Sequence, residues 1–345
     1  MPQFFATFAT VKSKRRNSMF TNAARQKFPE ASLMLLAAAV CAVVDASHAT
    51  SVLAAEHTSA ALLADVLSGF QHRWPILSAA ISAVMIVYMG LSLSRAALRR
   101  YLYPAHTLVG IPLTGIVVCG CGLSAEYLST TVLLLLVAMM LKRLYACFVR
   151  EQIVPQLFPA MVCLGCTPLL YAPMTAFVVL LIPMIVLCRL SLRSCVAAVA
   201  GALLPIFVVS YIGWAGGGEF GAEACGLWQQ MLTPATFDAE SYFSVVRIVL
   251  LGLMLFTAIC SVMLHRSDRF AVGVTARKIW SFSSSVMVLC IVLFVALPSS
   301  SQIFITVIAL VASTLMPMFF VRMENYISSS LYWLMIAAAA WLSFA

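Results

Sequence analysis

The stretch from Phe158 to Trp214 holds 57 residues and only two charges, Arg189 and Arg193, and it limits the possible folds more than any other feature. A run this apolar belongs in a lipid bilayer. About 20 residues of helix cross the hydrocarbon layer, so the stretch is long enough for nearly three crossings. It also carries its own punctuation. Tyr171-Ala172-Pro173 makes a tight break after the first crossing, Arg189 and Arg193 end the second, and Gly201 and Pro205 interrupt the third. The other apolar segments are expected to pack around this broken hairpin. The whole chain is 63% hydrophobic and 10% charged, against about 25% charged residues in a soluble domain. So much apolar surface must face lipid or neighbouring helices, and the expected fold is all-α, a polytopic membrane helix bundle.

Eleven apolar segments can be read as spans: Ala31–Val44, Pro75–Ser94, Thr107–Leu123, Leu128–Leu141, Ile153–Leu170, Ala172–Cys188, Cys195–Trp214, Val245–Leu264, Ile279–Leu297, Ile303–Val321 and Ile327–Phe344. With the N-terminus inside and the C-terminus outside, nineteen of the 21 Lys and Arg residues fall on the cytoplasmic side, leaving only Arg73 and Arg247 outside. Eight of the twelve acids fall on the outer side. This is the asymmetry that the positive-inside bias produces. The organisation that follows is a basic cytoplasmic tail (1–30), a membrane module (31–214), an outer acidic loop (215–243) and a second membrane module (244–345). Ala31–Val44 is short enough to be a leader core, but a 30-residue basic segment ahead of it favours an uncleaved anchor, and Met19 is an alternative start. Within the first outer loop, 51–71, Leu62, Val66 and Phe70 recur every four residues, with Asp65, Ser68 and Gln71 elsewhere on the wheel. That pattern predicts an amphipathic helix lying on the outer membrane surface.

The net charge of +9 comes from the cytoplasmic ends of the spans, so nucleic acid is not the expected partner; the lipid bilayer is. The chain has no Walker-type glycine loop, no His-Glu-x-x-His and no Gly-x-Ser-x-Gly. The span interiors are almost free of ionisable groups, which argues against a proton- or ion-coupled transporter. Cys119-Gly120-Cys121 and Cys163-Leu164-Gly165-Cys166 have suggestive spacing, but within spans such thiols act as small hydrophobes. His48, His57 and His72 share the first outer loop; metal ligation there is an open reading although the spacing fits no known site, and the cofactor is left open.

Asp45 is the informative acid. It ends the first apolar run, where a partly desolvated carboxylate has the chemistry of a general base; the plain alternative is that it simply ends the span. Asp65 and Glu126 are candidate helpers, although outer acids are expected from topology alone. Arg247, one of two outer cations, can hold a phosphate or pyrophosphate with its fork, or serve as an interface anchor. Tyr171, at the break, is a second candidate substrate contact.

Leu157-Phe158-Pro159-Ala160, Tyr171-Ala172-Pro173, Arg189, Gly201 and Pro205 resemble an uncharacterised bacterial family of polytopic inner-membrane proteins, over about Pro75 to Trp214. The order of a short first helix ending in an acid, a surface helix in the first outer loop and many later spans is similar to membrane glycosyltransferases of the GT-C type. That resemblance implies a polyprenyl-phosphate-linked sugar as partner and Asp45 as base, in the cell envelope. This loop has no Asp-x-Asp, unlike the metal-dependent members. Two other readings stay open. The scarcity of buried polar groups suits a non-catalytic assembly factor or subunit, and the breaks at Pro168, Pro173 and Pro205 suit a carrier of lipid or another apolar substrate.

Overall fold

A computed structural model describes residues 26–49, 62–100, 102–103, 107–148, 153–188, 190–233, 242–267, 273–299, 301–323 and 326–344. Several residues singled out above lie outside these, namely Met19, His57 and Arg189, as do the outer acids Glu56, Asp238 and Glu240. The described chain is a helical bundle. Its helices are α1 (Phe28–Ala49), α2 (Leu62–Arg73), α3 (Pro75–Arg99), α4 (Gly110–Cys121), α5 (Tyr127–Cys147), α6 (Val154–Cys166), α7 (Leu181–Cys188), α8 (Leu192–Ala215), α9 (Ala222–Leu232), α10 (Val245–Ser267), α11 (Val274–Ala296), α12 (Gln302–Leu315), α13 (Pro317–Arg322) and α14 (Tyr326–Phe344). Among the described residues eight helical stretches are long and apolar enough to cross a membrane, and there are three shorter apolar ones, Gly110–Cys121, Val154–Leu169 and Ala172–Cys188. The protein is therefore a multi-pass membrane protein, and these segments coincide one for one with the eleven read from hydropathy.

Contacts between elements sort into two ends. At one end Gln26 donates to the Tyr332 hydroxyl, the Arg100 guanidinium to the Tyr145 carbonyl, the Trp280 indole to the Leu102 carbonyl and the Tyr103 hydroxyl to the Thr314 carbonyl. At the other, the Gln71 amide donates to the Ala125 carbonyl, the Tyr242 hydroxyl to the Cys121 carbonyl and the Tyr171 hydroxyl to the Ser299 carbonyl. Each pair joins residues that an alternating eleven-pass path places on the same side. The first end carries Arg95, Arg99, Lys142, Arg143, Arg266, Lys278 and Arg322, and the second Asp45, Asp65, Glu126 and Glu219. The positive-inside bias makes the basic end cytoplasmic.

The centre is not the hairpin that hydropathy suggested. All twelve residues of α4 are buried, as is 94% of the Gln302–Arg322 window of α12 and α13, whereas the α8 window is only 28% buried. Lipid is as apolar as leucine, so hydropathy cannot separate a lipid-facing helix from a central one; small and hydroxyl residues do so better. On α4, Gly115 and, on α3, Gly90 leave room for Leu35 of α1, and a side chain at Gly120 would run into Leu250 of α10. Thr114 bonds its own helix at Gly110, 2.9 Å away, and meets Ser313 of α12 at 3.4 Å. Between α12 and α13, Pro317 breaks the helix. Just past the break the Phe319 N–H donates to the Met316 carbonyl at 3.0 Å, and Ser261 of α10 joins the same bond, receiving that N–H at 3.1 Å and donating to that carbonyl at 3.4 Å. Irregular backbone at membrane depth is tolerated where it is buried in protein, as it is here.

The break at Tyr171 is present. α6 ends in a 3-10 turn, Thr167–Leu169, and Tyr171 is extended. A 3-10 helix, Ala172–Leu180, then leads into α7. Pro205 does not interrupt α8, which runs unbroken from Leu192 to Ala215. The carbonyl that Pro205 deprives of a partner belongs to Gly201, four residues back, and both residues sit in the tight crossing of α6 and α8. The 215–243 segment is more than a loop. It contains α9, whose Leu227 is buried with Leu169 and Ala172 over the outer side of the break.

Candidate functional site

The outer end of α4 is where polar groups from several elements meet. Gly122 ends the helix with φ +70° and ψ 150°, a conformation that essentially only glycine adopts. A Cβ there would stand 3.3 Å from both Arg247 Nη2 and Gln302 Nε2, so the missing side chain is what lets these two groups converge. Thr306, one turn into α12 from Gln302, donates to the Gly122 carbonyl at 3.5 Å. Arg247, in the first turn of α10, is half-buried. Its Nη1 donates to the Tyr242 carbonyl at 3.0 Å, its guanidinium lies 4.5 Å from the Tyr242 ring centre, and its buried Nε has no hydrogen-bond partner. Tyr242 donates in turn to the Cys121 carbonyl at 2.8 Å. Burial pushes the Tyr242 phenol well above its ordinary pKa, with Arg247 acting weakly the other way, so it stays a neutral donor.

Asp45 is not the first residue of the outer loop. It lies in the last turns of α1, which continues to Ala49, and it is half-buried. Hydropathy falls where lipid ends, not where hydrogen bonding ends, and so the apolar run stopped short of the helix. A carboxylate near a helix C-terminus opposes the macrodipole by about 0.3–1 kcal/mol. Asp45 and Arg247 are both electrostatic neighbours of the α4 C-terminal segment, Asp45 of the Cys119 thiol and Arg247 of the Cys121 thiol. Both therefore lie near the C-terminal segment of α4, on different faces of it, since positions 119 and 121 are about 200° apart around the helix.

Glu126 follows at the N-cap of α5, half-buried, without a side-chain cap hydrogen bond. Asp65 is exposed in the first turn of α2. Leu63 and Val66 are 40% and 66% exposed, as the apolar face of a helix lying against lipid would be, but Gln71, placed on the polar face, is buried. Gln71 donates to the Ala125 carbonyl at 2.9 Å and accepts from the Leu128 N–H at 3.2 Å, clamping α2 to the start of α5. Tyr171 is buried, its hydroxyl 2.8 Å from the Ser299 carbonyl and its ring edge-on to Phe304, so it locks the break onto the turn that precedes α12. His72 is exposed, and among the described residues no three His, Cys, Asp or Glu side chains converge as metal ligands.

Sequence reasoning missed Gly122, Tyr242 and Gln302. The one available signal was Gln302, an amide opening an otherwise apolar span. Comparison of the chain with protein families, curated proteins and solved structures finds no match.

Proposed function

We propose that this is a bacterial inner-membrane protein of envelope assembly, a transferase that works at its outer face on a polyprenyl-phosphate-linked sugar, in the manner of GT-C enzymes. The observation that carries this reading is the Arg247 fork beside Gly122, with Nε unengaged and Asp45 at the same helix end. A phosphate oxygen is met by a guanidinium and by the neutral Gln302 amide, and the bare Gly122 backbone allows close approach. Asp45 takes the proton of an acceptor hydroxyl, and the acceptor oxygen attacks the sugar C1. The C1–oxygen bond to the lipid phosphate breaks, and Arg247 stabilises the charge on the departing phosphate.

The test uses the full chain in nanodiscs with a polyprenyl-phosphate-linked sugar. Asp45→Asn is expected to keep lipid binding and lose transfer. Arg247→Gln is expected to lose binding, and Arg247→Lys to keep the fold with weakened binding. Wild-type binding no stronger than that of Arg247→Gln would remove the basis for the proposal. A second reading, a non-catalytic subunit, is favoured by α8, whose outer half exposes Phe207, Tyr211 and Trp214. Copurification of one stable partner, with function intact in Asp45→Ala, would select it.

A further inference from the structure

On the opposite, cytoplasmic half of the bundle a groove of about 690 Å³ opens to the lipid between α7, α10 and α11. One wall is Val179, Ile182, Pro183, Val186 and Leu187; the other runs along Ile259, Val262 and Met263 of α10 and Val288, Leu289 and Val292 of α11. The wall on the α7 side is irregular for a stated reason. Pro183 has no N–H to offer the Val179 carbonyl, and the preceding Ala172–Leu180 stretch is wound as 3-10 helix, so α7 does not follow the neighbouring helices closely.

The groove is apolar along its length and polar at one end. Ile259, Val262, Met263 and Arg266 recur at helical spacing on α10, which places the Arg266 guanidinium at the cytoplasmic mouth, about 10 Å along the axis from Ile259. Lys278 lies on the same face of α11 as Ser285, Leu289 and Val292, seven, eleven and fourteen residues on. It is also an electrostatic neighbour of Cys188, the residue after Leu187 on α7. Ser284 and Ser285 line the groove between the cation level and the apolar floor. Arg266 and Lys278 are both exposed, and the pattern is a hydrocarbon slot capped by positive charge at headgroup depth.

We propose that the groove is a binding site for an anionic phospholipid of the inner leaflet, with an acyl chain along α10 and α11 and the phosphate held by Arg266 and Lys278. Basic pockets between helices on the cytoplasmic side have the chemistry for such headgroups. Charge complementarity selects this occupant over an apolar helix of a second copy, which would leave both cations facing hydrocarbon.

The experiment is native mass spectrometry of the full chain, released from detergent after exposure to phosphatidylglycerol or phosphatidylcholine. Wild type is expected to retain one phosphatidylglycerol and to prefer it over phosphatidylcholine. Arg266→Gln/Lys278→Gln is expected to weaken phosphatidylglycerol retention about thirtyfold, the effect of removing two cations that each act near a charged headgroup. Val288→Trp, at a position 56% exposed and so open to a larger side chain, should block the slot and lower retention with the cations intact. Thermal melting of each variant checks that the fold survives. Equal retention of both lipids by wild type and the double variant would overturn the proposal. So would a dimer that Val288→Trp dissociates, because the groove would then be an interface between copies.

Discussion

The crossing of α6 and α8 offers the sharpest test of the packing. Gly165 on α6 faces Ala202 and Pro205 on α8, and Gly201 on α8 faces Phe158 and Met161 on α6. A Cβ at Gly165 would stand 2.9 Å from the Ala202 carbonyl carbon and 3.0 Å from Pro205 Cδ, with the Ala202 carbonyl oxygen closer still. The obstacle is backbone and a proline ring, so no rotamer change relieves it. The carbonyl oxygen sets the displacement: the helices must separate by more than about 1 Å to reach ordinary contact, and Phe158 and Met161 lose their fit against Gly201 as they do. Overpacking costs about 1–3 kcal/mol, and an unyielding neighbour puts this site near the upper figure. Alanine returns about 1 kcal/mol of helix propensity. Gly165→Ala should therefore destabilise the protein by about 2 kcal/mol. Gly252→Ala is the matched control. That glycine lies on α10 with nothing within 4 Å of its added Cβ, so only the propensity gain applies. The two variants should differ by about 3 kcal/mol in denaturant titrations of the full chain in mixed micelles. Equal stability of Gly165→Ala and Gly252→Ala would refute the close crossing.

Ser261→Ala removes the hydroxyl that bridges the Phe319 N–H and Met316 carbonyl just past Pro317; because those two groups also bond each other, the expected cost is about 0.5–1.5 kcal/mol, read in the same titration. Gly122→Ala forces a Cβ into a glycine-only conformation, at a cost of about 1–3 kcal/mol. Because that Cβ also crowds Arg247 and Gln302, it should lower binding of a polyprenyl phosphate well below the level of Gly165→Ala, a comparison that separates site damage from general instability. Cys225 on α9 is the one exposed thiol of the eleven. A membrane-impermeant maleimide added to the outer side should label it and leave a Cys225→Ser variant unlabelled; labelling only from the cytoplasmic side would invert the topology.

The crossings were legible because the bilayer imposes a length and a polarity on each, and the Lys and Arg residues between them record which side each end faces. Expectations failed where the deciding contact came from a distant element. Gln71 looked like a solvent-facing residue on the wheel, and only the Ala125–Leu128 turn makes it a buried clamp. Pro205 looked like a break, but the missing hydrogen bond is Gly201's, and the close fit to α6 holds the helix together. α9 escaped notice because a short amphipathic helix preceded by glycines resembles a loop until Leu169 and Ala172 are set beneath it.

From its residues alone this chain was bound to be a multi-pass helical membrane protein with a basic and an acidic side. Transferring that much apolar chain into water costs more than any soluble fold can recover, and the charges must lie at the ends of the spans. Which helix is central, and which distant groups share a site, waited on tertiary packing. Inside a bilayer every apolar face is equally content with lipid, so neighbours are chosen by close fit at glycines and by hydroxyl contacts. Those same contacts bring Asp45, Gly122, Arg247 and Gln302 to one end of α4.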